Sequence, residues 1–282
     1  MLPTPPDLAS NPGPTVEVVI ISWQGMRESS LRIAAQLDGL PGVRLRTLYS
    51  NVAEAPETGP GQWQQVPNDH YFGKKFAAAL AGFDSDVLLI VQADALSTDW
   101  RLVATRCQAR FAQRPRLGLW TPRIDYTPWT PERVDIRPLD GQGLTAVSQT
   151  DGIVLAFSAS AIERLRRLDY SRNNFGWGID WVAVCHCYVN DLEVLREDAL
   201  AIAHSPSSGY GREEAGEQGR IFMQQMSDRE QTMFKILKRF AAERHDNLYG
   251  TLLRRLAKRR AKQNYRRCQV AMGLGASAKP AA

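Results

Sequence analysis

Apolar and polar positions along the chain alternate between strand-like and helix-like periods. Residues 16–22 (VEVVIIS) are β-branched and nearly continuous, as in a strand buried on both faces. After Trp23-Gln24-Gly25, Met26, Ile33, Leu37 and Leu40 recur at helical spacing, and Leu-Pro-Gly stops the run. VRLRTLYS (43–50) alternates and predicts a second strand, whereas 51–66, rich in Pro, Gly, Gln and Glu, predicts a loop. HYFGKKFAAALAGF predicts a helix ending near Gly82, and DVLLIVQ (86–92) a buried strand. TDWRLVATRCQARFAQ predicts a helix capped by Ser97 or Thr98, followed by a strand at RLGLWTP. Strands and helices in strict alternation imply an α/β fold with a mostly parallel, twisted sheet flanked by helices.

The second half is less regular. A long loop or hairpin spans 121–146, DGIVLAFSASAIERLRRL turns from strand to helix, and the Gly- and aromatic-rich YSRNNFGWGID leads into a helical WVAVCHCYVNDL. EVLREDALAIAHS is strand-like and ends at His204, while SPSSGYGREEAGEQGR lacks apolar periodicity and is expected to be a mobile loop. From Ile221 the pattern is helical to about Arg267, with a break near Asn247–Gly250. The organisation expected is a Pro-rich disordered tail (1–15), a catalytic α/β domain (16–220), a helical basic extension (221–268) and a disordered tail (269–282).

Charge sharpens this division. The chain of 282 residues carries net +5, yet 235–267 holds twelve Lys or Arg against Glu243 and Asp246, a local +10 that leaves the remainder near −5. At 44% hydrophobic and 23% charged, the composition excludes disordered, collagen-like and coiled-coil chains. Four scattered cysteines do not make a secreted disulfide framework and fit free thiols in a reducing compartment. Cys185 and Cys187, two apart on a helix, point away from each other and make a poor zinc pair. The N-terminus has neither the basic nor the apolar region of a signal peptide, and no apolar run reaches membrane-spanning length. The expectation is a cytoplasmic protein. Its basic C-terminal helix would serve as a solvated helix on the body, as a peripheral contact with an anionic membrane face, or, least in keeping with the sequence, as a nucleic-acid contact.

In parallel sheets ligands gather beyond the carboxyl ends of the strands, which directs attention to Ser22 and Trp23, Ser50 and Asn51, and Gln92 to Asp94. Asp94 follows the buried VLLIV strand. A carboxylate there suits a hard divalent cation that also meets a diphosphate, or it caps the next turn. In Phe-Gly-Trp-Gly-Ile-Asp (175–180), Trp177 offers a flat face for a sugar, Gly178 admits close backbone approach, and Asp180 is either a helix cap or a general base. His204 is either structural or a ligand. Tyr210 and Arg212, in the mobile stretch behind it, are placed to fold over a phosphate.

An acid after the third strand, a Gly-Trp-Gly-x-acid loop and a later histidine, in that order, resemble the GT-A glycosyltransferases, particularly the family-2-like and β-1,4-galactosyltransferase-like enzymes, over roughly residues 16–212. The resemblance implies a nucleotide-diphosphate-sugar donor and Mn²⁺ or Mg²⁺ held by Asp94 and His204. It also implies Asp180 as the base of an inverting transfer to a hydroxyl, and Trp177, Gly178 and Tyr210 at the acceptor. Ser22, Trp23, Asn51, Gln92, Asp94 and Arg212 fall to the donor side, and a glycan or lipid-linked acceptor in surface glycan synthesis is the corresponding expectation. Three departures stand out: Gln92 replaces the first Asp of the usual Asp-x-Asp, Ile179 the first acid of Glu-Asp, and Ser-Trp-Gln-Gly the usual end of the first strand. The alternatives are a sugar-nucleotidyltransferase, for which the loop after the first strand has too few glycines and basic residues, and an inactive GT-A-like binding protein recruited through its basic helix.

Overall fold

The hydrophobic runs do what continuous β-branched sequence requires: they pair on both sides. In the computed structural model, which describes residues 13–50, 57–139, 141, 143–204, 211–244 and 248–274 (for 248–257 the backbone alone), β1 (Val16–Ile21) is buried throughout. It pairs in parallel with β2 (Val43–Tyr49) and β4 (Val87–Gln92), with Val19 opposite Arg46 and Ile90. Three further strands, β5 (Leu117–Ile124), β8 (Val154–Ser158) and β9 (Glu193–Ile202), extend the sheet. A hairpin of β6 (Asp135–Leu139) and β7 (Leu144–Val147), preceded by the single turn α4 (Pro131–Val134), forms one edge; of the stretch 121–146, expected to be a long loop or hairpin, residues 121–124 belong instead to β5. The other edge is β3 (Gln62–Gln65), a short strand parallel to β2 within the segment expected to be loop. Its four residues carry no apolar alternation, and pairing with β2 supplies what its sequence lacks.

The full order is β3-β2-β1-β4-β8-β5-β9-β7-β6. Strand β8 is antiparallel to both β4 and β5, and β9 is parallel to β5, so β1, β2, β4, β5 and β9 all end at the same edge.

Each face of the sheet has its own core, built from alternate strand residues. On one side Val18, Ile20 and Val91 meet α1 (Arg27–Leu37) and α3 (Trp100–Gln113) through Ile33, Leu37, Trp100 and Val103. On the other, Val19, Ile21 and Ile90 meet α2 (Phe72–Ala81), α5 (Ala159–Arg166) and α6 (Ile179–Val189), where Phe76, Leu165 and Val182 are fully buried. Helix α3 is capped by Asp99, whose carboxylate accepts from Leu102 N at 2.8 Å, and not by Ser97 or Thr98. Asp99 is the last residue before the helical turn begins, where a carboxylate reaches the free N–H groups.

The segment 205–220, expected to be a mobile loop, divides. Residues 205–210, with Tyr210, lie outside the described residues, and helix α7 (Arg212–Met223) begins directly after them. Glu213 and Glu214 favour its first turn, and its periodicity is hidden because two glycines, Gly216 and Gly219, lie where Trp177 packs. Residue 220, the expected end of the catalytic domain, falls inside α7, and the next helix, α8 (Asp228–Glu243), puts Leu237 into the same core as the sheet. Ser227 and Glu230 form a capping box for α8. The last helix, α9 (Leu248–Ala271), runs past the expected start of a tail at 269, and Gln269 is buried. Residues 1–12, 275–282 and Asn51 lie outside the described residues, as do the side chains of Leu252, Leu253, Leu256 and Ala257. Among the described residues no helix is long and apolar enough to cross a membrane.

A buried ion pair braces β1 against β2. Glu17 of β1 and Arg46 of β2 meet at 2.7 Å, both almost fully buried, and Arg46 also donates to Ala79 O at the end of α2. A cation at a helix C-terminus also meets the dipole favourably. Arg46→Ala should therefore cost about 3 kcal/mol by leaving the Glu17 charge buried and unpaired. The double variant Glu17→Leu/Arg46→Met should recover most of that loss, and urea unfolding measures both.

Candidate active site

The common strand edge brings together residues far apart in sequence. After β4 the chain turns so that Leu96 and Ala203 exchange both backbone hydrogen bonds at 2.9 Å, and Asp125 N bonds Ile202 O at 2.9 Å. Asp94 and His204, 110 residues apart, are thereby placed with His204 Nε2 3.2 Å from Asp94 Oδ2. Both side chains are mostly buried, and Asp94 Oδ1 and His204 Nδ1 are buried with no hydrogen-bond partner. Burial opposes charging the imidazole, but the hydrogen bond and charge of Asp94, reinforced by Asp151, outweigh it and raise its pKa.

Asp151, which sequence reasoning missed, stands at the entry to β8. Burial and the Asp94 charge raise its pKa, against the opposing pull of His204. Gln92, at the expected first-acid position, does not face this cluster with a charge. Its Nε2 donates to Gly152 O at 3.1 Å and its N–H to Ile153 O at 2.9 Å, which fixes the loop that carries Asp151. Nothing local in Thr-Asp-Gly marks Asp151; only the antiparallel insertion of β8 beside β4 brings it here.

Asp180 lies in the first turn of α6, but it is not the cap. Gly178 takes the cap position at φ +92°, a left-handed conformation that favours glycine, and a Cβ there would come 2.8 Å from Met223. Asp180 accepts from Trp181 N at 2.9 Å and from Gln149 Nε2 at 3.0 Å. Burial, opposed by the Trp181 hydrogen bond and aided by the Asp151 charge, pushes its carboxyl up to about 7. Asp151 thus interacts electrostatically with both the Asp94–His204 pair and Asp180, and Gln149 Oε1 and Thr150 Oγ1 between them are buried without a partner.

The loop before Asp180 is held rigidly. Asn173, fully buried, donates to Trp177 O at 3.1 Å and accepts from Gly176 N at 3.0 Å, and Gly73 of α2 packs so close that a Cβ would come 1.9 Å from Asn173 O. Trp177 is 39% exposed and lies over Gly216 and Gly219 of α7.

On the β1–β2 side, Ser22 is buried, its Oγ accepts from Ser30 Oγ at 2.7 Å, and Trp23 packs half-buried on the core. The Ser22 carbonyl accepts from Lys75 Nζ at 2.6 Å, and Lys75 also donates to Ser50 Oγ at 2.7 Å. Lys75 is fully buried and burial lowers its pKa to about 8. Its signal was legible: Lys75 falls on the apolar stripe Phe72, Phe76, Ala79 of α2. Arg212 is exposed at the start of α7, between Gly211 and Glu213, which with Arg172, Glu217 and Gln218 line a cavity of about 960 Å³. No ion pair joins Arg212 to the Asp94 cluster among the described residues.

Asp94 and His204 offer one oxygen and one nitrogen, each with a free buried atom. No cluster of three or more ligating side chains occurs among the described residues. This pair suits a divalent cation that completes its shell with phosphate oxygens and water.

The topology and the site edge together define a class: the chain has the GT-A fold of nucleotide-diphospho-sugar transferases. No protein-family model and no curated protein matches the sequence. Among solved structures it is similar to the mannosyltransferase PcManGT from Pyrobaculum calidifontis in complex with GDP-Man and Mn²⁺ (13% identity, 96% of this chain and 87% of that one, TM-score 0.54). It is also similar to GalNAc-T7 with UDP, GalNAc and Mn²⁺ (11%, 91% of this chain and 55% of that one, TM-score 0.58) and to S. aureus TarS (12%, 83% and 44%, TM-score 0.55). The chain spans about half the length of the latter two.

The raised Asp180 pKa carries a stability consequence. Between the ordinary value of 3.8 and about 7 the folded protein holds a proton that the unfolded chain has released, so stability falls as pH rises through that window. Asp180→Asn should be more stable than wild type above neutrality, and the two should converge near pH 4. Urea melts at acid and alkaline pH measure the difference.

Proposed function

We propose that this protein is a glycosyltransferase that moves a sugar from a nucleoside-diphosphate donor to a hydroxyl acceptor with inversion, using Asp180 as the base. The observation that carries the reading is the site itself. Within the GT-A fold, a carboxyl held near neutrality stands at the same strand edge as a mostly buried acid–imidazole pair with unsatisfied atoms. The PcManGT and GalNAc-T7 structures, with nucleotide and Mn²⁺, support a donor of this class and a divalent cation.

In the proposed reaction the bond between the anomeric carbon and the diphosphate oxygen breaks as the acceptor oxygen bonds to that carbon from the opposite face. The acceptor proton passes to Asp180, and the nucleoside diphosphate leaves with the electron pair of the broken bond. Asp94 and His204 would hold the cation, whose Lewis acidity stabilises charge on the departing diphosphate. Gln149 orients the Asp180 carboxylate by donating to Oδ2, which leaves Oδ1 with the Trp181 N–H. Trp177, partly exposed and backed by two glycines, would stack on the acceptor sugar, with Gly178 allowing its approach. Ser22, Trp23 and Asn51 would border the nucleotide, with Lys75 fixing the ends of β1 and β2 relative to each other. Arg212 and Tyr210 would close behind the phosphates.

A mutant series tests this. Transfer by wild type should rise with pH and level off above about 7, the acid limb reporting Asp180. Asp180→Asn should lose transfer by at least about a hundredfold while still binding nucleoside diphosphate. Asp94→Asn should lose metal-dependent nucleotide binding. Full transfer by Asp180→Asn, or an acid limb unchanged in a slow Asp180→Glu variant, would remove Asp180 from the role of base.

A further inference from the structure

Helix α9 is seated on the body by one face and carries its charge on the other. Ala261 is 2% exposed and Gln269 9%, and Asn264, Tyr265 and Cys268, on the same side, are partly buried. Asn264 Nδ2 donates to Asp125 Oδ2 at 3.2 Å, and Arg32 of α1 donates to Gly273 O at 3.4 Å. The helix is thus pinned beside the end of β5 and again on α1. At about 100° per residue, Lys262, Arg266, Arg259, Arg267 and Arg260 fall within an arc of about 160° opposite the seated face. All five are exposed, and no acidic residue occurs from Asn247 to the end of the chain.

Folding does not neutralise this arc. Arg46, Arg110 and Arg164 each bind a carboxylate, whereas none of the five has a hydrogen bond or ion pair among the described residues. Like charges three and four residues apart on a helix repel, and Arg259–Lys262 and Lys262–Arg266 are such pairs. What covers the arc must therefore be anionic, and it must be broad, because the cations span about 12 Å of helix axis as well as the arc. Long basic side chains bend toward a plane, so a flat anionic surface can meet them all. Val270, 77% exposed, lies in the middle of the arc. An apolar side chain there gains from lipid and gains nothing from a sugar–phosphate backbone. Tyr265 is the one aromatic residue between 258 and 274, and it lies on the seated side, so the arc offers no ring on which a base could stack.

We propose that α9 docks this protein on an anionic phospholipid bilayer, lying flat on the headgroups through Arg259, Arg260, Lys262, Arg266 and Arg267. The contact is electrostatic, since the opposite face of the helix is occupied by the body. The docking does not depend on the transferase reading. Its consequence for the site does: Asp125, which holds Asn264, pairs with Ile202 two residues before His204, so the bilayer would lie beside the site edge. An acceptor carried in that bilayer would approach from the α9 side.

The test is co-sedimentation of the full chain with vesicles of phosphatidylglycerol and phosphatidylcholine in equal parts, against vesicles of phosphatidylcholine alone, at physiological salt. Wild type should sediment with the first and not with the second. Each cation near an anionic surface strengthens binding about fivefold, so the triple variant Arg259→Gln/Lys262→Gln/Arg266→Gln should weaken it about a hundredfold. That variant should stay folded and be at least as stable to urea as wild type, because it relieves like-charge repulsion. A control, Arg106→Gln/Arg137→Gln/Arg167→Gln, removes the same charge from exposed residues on other elements and should bind as wild type. No binding of wild type to the anionic vesicles overturns the proposal. Equal losses in the two triple variants overturn it too, by making net charge the cause. Tighter binding to duplex DNA or single-stranded RNA than to the vesicles, lost in the α9 variant, replaces the bilayer with nucleic acid as the partner.

Discussion

Two backbone hydrogen bonds between Leu96 and Ala203 set the geometry on which the site depends. In the sheet, β4 and β9 are separated by β8 and β5, so their ends would ordinarily lie some three strand spacings apart. The chain leaving β4 must curl over the intervening strand ends to meet β9, and the bridge fixes that curl. Asp94 sits two residues before the bridge on one side and His204 one residue after it on the other, so their contact follows from backbone pairing. Side-chain attraction alone would be a poor substitute, because an exposed carboxylate–imidazole pair contributes little in water.

Around that bridge the protein assembles polar groups that a core would ordinarily exclude. Lys75 is buried with a carbonyl and a hydroxyl as its acceptors and no carboxylate within salt-bridge distance among the described residues. The cost shows as a lowered pKa. A charge kept in that condition holds the ends of β1 and β2 in fixed relation, since moving either strand would strand the ammonium. Gln92 serves a comparable purpose on the other flank. Where an aspartate would bring a further charge to a site already holding Asp94 and Asp151, a neutral amide binds the Gly152 carbonyl. At the departure from Asp-x-Asp, the second acid near Asp94 is Asp151, from the loop that leads into β8.

Strands and helices with strong periodicity were legible, because their apolar faces are set by burial against the sheet. Residues 16–21 and 87–92 pair as their buried apolar runs require, and 43–49 as its alternation does. Elements stabilised by partners distant in sequence were not: β3 exists through β2, and α7 through the seating of Trp177 on its glycines. The same division holds in the site. Asp94, Asp180 and His204 were visible because each ends a strand or opens a helix. Asp151, Gln149 and Asn173 were invisible because their positions depend on strand insertion and loop packing. Lys75 was visible and unused, a charged residue on an apolar helical stripe.

The placement of Asp180 shows how a small change of register alters chemistry. A carboxylate at a helix N-cap accepts from free N–H groups and stands in the positive end of the dipole, both of which stabilise its charge and keep its pKa low. Here Gly178 takes the cap without a side-chain hydrogen bond, and the carboxylate is two residues farther in, flanked by Gln149 and the Asp151 charge. Burial and like charge then outweigh the backbone hydrogen bonds from Trp181, Asp180 itself and Gly178, and lift the carboxyl toward neutrality. A group so poised takes a proton far more readily than a cap carboxylate does. Gly178 therefore has a consequence beyond the turn: by taking the cap position it leaves the carboxyl of Asp180 where burial decides its charge.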